Sequence, residues 1–457
     1  IMPSLVGSEM CIRDSGMAIH VYKNAKIYTM DPGAPYIASG YLAVENGRIA
    51  AIGPMSGYAR PEGAGETDLH GMVVLPGVIH SHSHFYGQFV RGIPLSAPMA
   101  NWQQILGNMW WKVDKLLDDD MNYYSAMMGL VEGIEMGTTT YIDHHASPNH
   151  SIGSLEIIEQ AVKACGARAV LCYEVTDRDG RERCENGIRE NVAFIRAHQG
   201  DREALVQATF GLHASYTLDD DTLERCAAEA AALGVGFHIH VAEDRADVYD
   251  SYRRCDRHVV SRLAHFGILG EKTIAAHCVH VGPEQRAILR ETGTMVAHNP
   301  ESNMNNAVGV APVWDMLQEG VCVGLGGDGF VYDSFKEVQI AAIAQRAFYG
   351  DPRVMGGDAC ERLLYRNNFR IAGTFFDHFG ALCAGNAADF IAVDYCAPTP
   401  LDGSNLFSHL TSNFSGHVDT VVVNGRVLKK DGRLTTIDRE EVFAKCREQA
   451  ERLWKLL

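Results

Sequence analysis

Apolar and polar positions along most of this chain follow two alternating periods. Short apolar runs stand at about 73–79, 138–143, 168–175, 204–212, 235–241, 273–279, 294–298 and 321–326. Between them apolar residues recur every three or four positions, as in 154–165 and 222–233. The first pattern predicts buried strands and the second amphipathic helices. Glycines at 137, 166, 200, 234, 293 and 320 close many of the helical stretches, where a left-handed residue is favoured. The eight repeats predict an α/β fold, a (β/α)8 TIM barrel over 73–385. The ends differ. The stretches 41–52 and 420–428 turn at Asn46-Gly47 and Asn424-Gly425, and Asn-Gly suits a two-residue hairpin. A small discontinuous β-sandwich domain is expected from 17–72 and 386–435, followed by a C-terminal helix over 436–457. The connection from Phe85 to Gly137 is too long for a simple crossover. It is expected to add helices around 102–120 that cover a site.

Composition narrows the class. With 457 residues, 46% of them hydrophobic, the chain can bury a large core. A net charge of −17 argues against a nucleic-acid or anionic-membrane surface. The 12 cysteines are scattered without a Cys-x-x-Cys, which points to reduced thiols in a cytoplasmic protein. A small-molecule substrate and a homo-oligomer are expected. Residues 1–16 lack a basic start and a sustained apolar stretch, so they make a poor signal peptide. They are expected to be a non-native leader, with Met17 as the natural start.

The candidate chemistry gathers where the apolar runs end. His80, His82 and His84 alternate, so they share one face if the strand continues that far. His238, His240 and Glu243 end a second run, His277 a third, and Asp328 a fourth. Asp143, His144, His145, Glu174 and His213 also stand at strand ends. In a parallel barrel the chemistry sits at those ends. Imidazoles with a carboxylate suit a borderline divalent ion such as zinc.

These motifs resemble the amidohydrolase superfamily. The carriers are Pro76-Gly-Val-Ile-x-x-His82-x-His84, Met109-Trp-Trp-Lys-Val-Asp114, Ile142-Asp-His-His-Ala-Ser-Pro148, His238-Ile-His-Val-Ala-Glu-Asp244 and Ser302-Asn-Met-Asn-Asn306. Within its deaminase and chlorohydrolase branch they are most similar to the SsnA-type aminohydrolases. The resemblance implies His82, His84, His240 and Asp328 as ligands of one divalent metal, zinc or alternatively iron(II). It implies Glu243 as a proton shuttle, His277 as the residue orienting the attacking water, and Asp328 as a base as well as a ligand. His213 would contact substrate. Tyr86, Gln88, His144 and His145 are further candidates for the pocket. Binuclear members bridge their ions with a modified lysine, and none lies between Ala204 and Tyr216, so one ion is expected. His80 stands where the superfamily has Asp or Asn. The implied activity is deamination of a purine, pterin or related N-heterocycle. Alternatives are a hydrolytic dechlorinase, an amide hydrolase, or an inactive binding homologue. Gly87 stands where guanine-type members carry glutamine, which disfavours guanine.

A chain starting at Met17 is expected to melt with the full-length chain in differential scanning calorimetry. A large loss of Tm on truncation would show that 1–16 pack against the domain.

Overall fold

The computed structural model describes residues 19–329 and 331–457. Five strands open the chain: β1 (His20–Tyr28), β2 (Tyr36–Glu45), β3 (Arg48–Pro54), β4 (Gly65–Asp68) and β5 (Val73–Pro76). Nine follow in the central region: β6 (Val78–Ser83), β7 (Thr138–Asp143), β8 (Arg168–Leu171), β9 (Val206–Ala208), β10 (Phe210–Ala214), β11 (Phe237–Val241), β12 (Ile274–His277), β13 (Met295–His298) and β14 (Val323–Leu325). Four close it: β15 (Phe390–Asp394), β16 (His417–Val423), β17 (Arg426–Lys430) and β18 (Arg433–Leu434).

Both chain ends build one sheet in the order β18-β17-β16-β15-β5-β1-β2-β3, with β4 on β1. Its two Asn-Gly turns take the left-handed backbone that their sequence demands, with φ of 49° and 78° at Asn46 and Gly47 and 48° and 75° at Asn424 and Gly425. The turns also touch: a Cβ on Gly425 would lie 3.0 Å from the Cα of Gly47. The central strands form two parallel arcs, β6-β7-β8-β9 and β10-β11-β12-β13-β14. Isolated parallel bridges, Val175 with Leu212 and Ser83 with Asp328, stand where the arcs meet. Helices such as Ser154–Cys165 and Asp220–Leu233 intervene, each burying one apolar stripe.

Two apolar runs that read as single strands are each divided. The run at 73–79 pairs first with β1 and β15 in the terminal sheet, then passes through Gly77 into β6. Gly77 packs so closely that a Cβ there would lie 2.2 Å from Thr139 Oγ1, so no larger residue fits. The run at 204–212 changes partner at Thr209, whose amide donates to Leu171 while that of Phe210 donates to Gly236. An unbroken apolar string carries no mark of a change of partner.

The long connection does fold as helices. A helix from Trp102 to Leu116 carries a π-helical stretch at Leu106–Trp110, and a second runs from Asp119 to Glu135. The C-terminal helix Arg439–Trp454 locks onto this layer, with Trp454 Nε1 donating to the Phe89 carbonyl at 2.8 Å.

A buried ion pair joins the central strands to the terminal sheet. Arg168 of β8 donates to Asp389 through Nε at 2.9 Å and Nη2 at 3.2 Å, between the rings of Phe376 and Phe379. Asp389 Oδ1 also accepts the Asn424 amide at 2.7 Å, and its carbonyl accepts the Gly77 amide at 3.0 Å. Removing one partner leaves the other charge dry. Arg168→Met is therefore expected to cost about 3–5 kcal/mol in urea unfolding. A loss of about 1 kcal/mol or less, the value of an exposed pair, would show that Asn424 alone satisfies Asp389.

Candidate metal centre

His82 and His84 turn into the site, and a register shift in the β6–β7 ladder sets them apart from His80. His80 Nε2 meets Ser334 Oγ at 3.1 Å beside the rings of Tyr141 and Tyr332, away from the other imidazoles. His82 and His84 meet His240 from β11, His277 at the end of β12, and Asp328 just beyond β14. His84 Nε2 lies 3.1 Å from His240 Nε2 and 3.2 Å from Asp328 Oδ1. His82 Nε2 is 3.6 Å from the same oxygen, and His277 Nε2 is 4.0 Å from Asp328 Oδ2.

The far side of each ring decides what the near side can do. His84 Nδ1 donates to the His144 carbonyl at 2.6 Å and His240 Nδ1 to the His213 carbonyl at 2.7 Å. His277 Nδ1 donates to Asn303 Oδ1 at 2.7 Å. A carbonyl oxygen only accepts, so these Nδ1 atoms hold the protons and, in the neutral rings that would bind a cation, the Nε2 atoms keep lone pairs. His82 Nδ1 pairs with His238 Nε2 at 2.8 Å, and its own Nε2 has no hydrogen-bond partner among the described residues. Lone pairs 3.1 Å apart in a buried site repel unless a cation lies between them. Ligands about 2.0–2.1 Å from a tetrahedral zinc stand about 3.3 Å apart. The donor set therefore fits a divalent ion.

Among the described residues, four non-glycine positions at these strand ends have left-handed backbones: Ala242 (φ 47°), His277 (φ 74°), Cys278 (φ 47°) and Asp328 (φ 56°). Such strain costs of order 1–3 kcal/mol each and needs support. Asp247 Oδ2 accepts the Ala242 amide at 2.9 Å, and the His82 carbonyl accepts that of Asp328 at 3.0 Å. The kink at Ala242 turns Glu243 into the cavity, with Oε2 at 3.7 Å from His277 Nε2. Burial, reinforced by Asp328, pushes the Glu243 carboxyl well above the usual range. Burial acts on Asp328 in the same sense, but its interactions with His82 and His84 hold the carboxyl well below the usual range. Ser302 Oγ also donates to Asp328 Oδ2.

The other sequence candidates divide. Tyr86 and His213 line the cavity above the imidazoles. Gln88 does not: its amide donates to the His84 carbonyl and to Tyr332 Oη, both at 2.9 Å, behind the wall. His145 also lies behind it, holding Ser147 Oγ at 2.8 Å, whereas His144, which donates through Nε2 to the His238 carbonyl at 3.0 Å, groups closely with His82, His84 and His240. Glu174 was read only as a strand-end carboxylate. It lies 3.3 Å from both His84 Nδ1 and His144 Nδ1 and 3.8 Å from His213 Nε2. Burial pushes its carboxyl up to about 8. Trp111, Asp114 and Arg178 line the same cavity, and local sequence gives no sign that the last two meet.

Comparison with known proteins agrees with this arrangement. The amidohydrolase family profile matches residues 73–428. The chain is 32% identical over 444 residues to a 5'-deoxyadenosine deaminase of Methanosarcina mazei, covering 96% of this chain and 99% of that protein. It is 33% identical over 416 residues to a 5-methylthioadenosine/S-adenosylhomocysteine deaminase of Moorella thermoacetica, covering 90% and 94%. In fold it is similar to the crystal structure of an adenosine deaminase from Xanthomonas campestris with bound zinc, with a TM-score of 0.85 at 22% identity over 96% of this chain and 99% of that one. The profile covers most of the chain and the curated relatives align almost end to end, so this chain belongs to the amidohydrolase family.

Proposed function

We propose that this protein is a metal-dependent aminohydrolase that replaces the exocyclic amino group of an adenine nucleoside with oxygen. The observation that carries the reading is the convergence of three lone-pair imidazoles and Asp328 on one buried point, with Glu243 and His277 beside it. The relatives named as deaminases of 5'-deoxyadenosine and of 5-methylthioadenosine and S-adenosylhomocysteine support the substrate class. We assign His82, His84, His240 and Asp328 as ligands of one ion. Zinc is preferred to iron(II) because it takes four nitrogen and oxygen donors with no redox demand. We also propose that the two arcs close as a (β/α)8 barrel, supported by the bridges at Val175 and Ser83. A β-sandwich in the terminal region is supported by separate apolar clusters around Phe390 and around Val21.

When bound, the ion supplies Lewis-acid activation of a water molecule at neutral pH. The chain's own groups divide the proton work between two carboxyls whose environments push them apart. Glu243, kept protonated by burial, donates to the ring nitrogen next to the attacked carbon. Asp328, kept ionised by the imidazoles, accepts one proton of the attacking water and returns it to the departing ammonia, and the second proton of that water, shed as the C–N bond breaks and the carbonyl forms, restores Glu243. His277 Nε2 accepts a hydrogen bond from that water and fixes its direction. Tyr86 and His213 hold the substrate from the wall.

Protein purified without chelator is expected to carry about one equivalent of zinc by elemental analysis, as a single four-ligand site implies. A second equivalent needed for full activity would overturn the single-ion assignment. Glu243→Gln is expected to lower kcat for ammonia release from 5'-deoxyadenosine by about 10²–10⁴, with metal content and Tm held. Asp328→Asn should lose metal retention as well as turnover. Near-normal kcat in Glu243→Gln would refute the proton route.

A further inference from the structure

His84 and His240 rest on backbone carbonyls, which fix their tautomers outright. His82 rests on another imidazole, with 2.8 Å between its Nδ1 and His238 Nε2. Two neutral rings in contact admit either direction of donation. If His238 donates, the proton of His82 sits on Nε2 and the ring cannot bind a cation. If His82 donates, its Nε2 keeps a lone pair.

The groups behind His238 decide the direction. His238 Nδ1 faces Cys172 Sγ at 3.8 Å, and that thiol donates to the Asp143 carbonyl at 3.4 Å. A carbonyl has no proton to give, so the thiol proton is committed to Asp143 and a sulfur lone pair is left for His238. Burial pushes the Cys172 thiol well above its ordinary range, so that proton stays on. His238 Nδ1 therefore carries the ring proton, its Nε2 accepts, and His82 Nδ1 donates. The four groups come from four strands: His82 in β6, Asp143 at the end of β7, Cys172 directly after β8 and His238 in β11. All four residues are fully buried, so bulk water does not compete for these atoms. His144 holds the His238 ring in place, stacked on it with centroids 4.5 Å apart and donating through Nε2 to its carbonyl at 3.0 Å.

We infer that His238 is a positioning residue for the metal centre and that, with Cys172 behind it, it commits His82 to the tautomer that binds through Nε2. His238 and His240 stand two apart on one face of β11. One strand thus supplies a ligand of its own and the support of a ligand from β6. His238 and Cys172 take no part in the proton transfers above, and the effect of each reaches the ion through His82.

The inference rests on the proposed assignment of His82 as a ligand, and the test separates the two. The quantity read is the rate at which the zinc-loaded full chain releases zinc to an excess of a chromogenic chelator, with no substrate present. An unaltered chain that holds no zinc tightly refutes the ligand assignment and the inference with it. His238→Phe keeps a flat ring of similar size and removes the acceptor. It is expected to release zinc about tenfold to a hundredfold faster, the cost of losing the partner behind a ligand. His238→Gln places an amide oxygen where Nε2 stood and is expected to restore slow release. Packing alone would rank the two the other way, since Phe matches the ring and Gln does not. An acceleration of less than about threefold in folded His238→Phe, or an equal acceleration in both variants, overturns the inference and leaves the ligand assignment standing. If the His238 variants do not fold, the thiol decides. Cys172→Ser keeps a donor and an acceptor and should release zinc as the unaltered chain does, whereas Cys172→Ala removes both and should release it faster. Equal rates in those two overturn the inference as well.

Discussion

The structure depends on keeping imidazole lone pairs pointed at one another in a dry pocket. Left to itself such a cluster would rotate, protonate or flood. Backbone carbonyls of His144 and His213 and the amide of Asn303 prevent this by holding the Nδ1 protons. Each of these acceptors belongs to a neighbouring strand end or to the helix beyond it. The tautomers at the centre are therefore set by the relative placement of strands, and the surrounding helices serve that placement. The strain at Ala242, His277 and Asp328 fits the same account, since each marks a point where the chain leaves its strand to aim a side chain inward.

Burial alone does not assign the chemistry, because Glu243 and Asp328 are both buried. Their neighbours differ. Asp328 faces two imidazoles and accepts a hydrogen bond from Ser302, whereas one Glu243 oxygen has no partner among the described residues. The same desolvation therefore goes with one carboxyl held low and the other raised. The proposed acid and base roles rest on this difference in surroundings over a short distance.

Much of this was legible in the residues. The Asn-Gly turns have a meaning that does not depend on distant contacts, and the structure places them as read, whereas of the period-two histidines His82 and His84 come together and His80 turns away from them. The divisions at Gly77 and Thr209 were not legible, because an apolar string looks the same whichever sheet it joins. Gln88 illustrates another limit: position next to the first motif says nothing of which way an amide turns, and here it is consumed by the His84 carbonyl and Tyr332. Glu174 needed neighbours from three strands to acquire its setting. Arg178 and Asp114 are separated by more than sixty residues, and only the fold brings them together.

Gly77 has a mechanical meaning. The strand that ends the terminal sheet and the strand that carries His82 and His84 are consecutive in the chain, joined through one residue with no slack. Because side chains alternate along a strand, displacing β6 by a single position would turn both imidazoles to its opposite face. The antiparallel ladder between β5 and β15 thus works as a ruler for the active centre. The terminal sheet and the strands around the imidazoles share a datum line, and neither can drift, be lengthened or be exchanged for a foreign module without putting the other out of register.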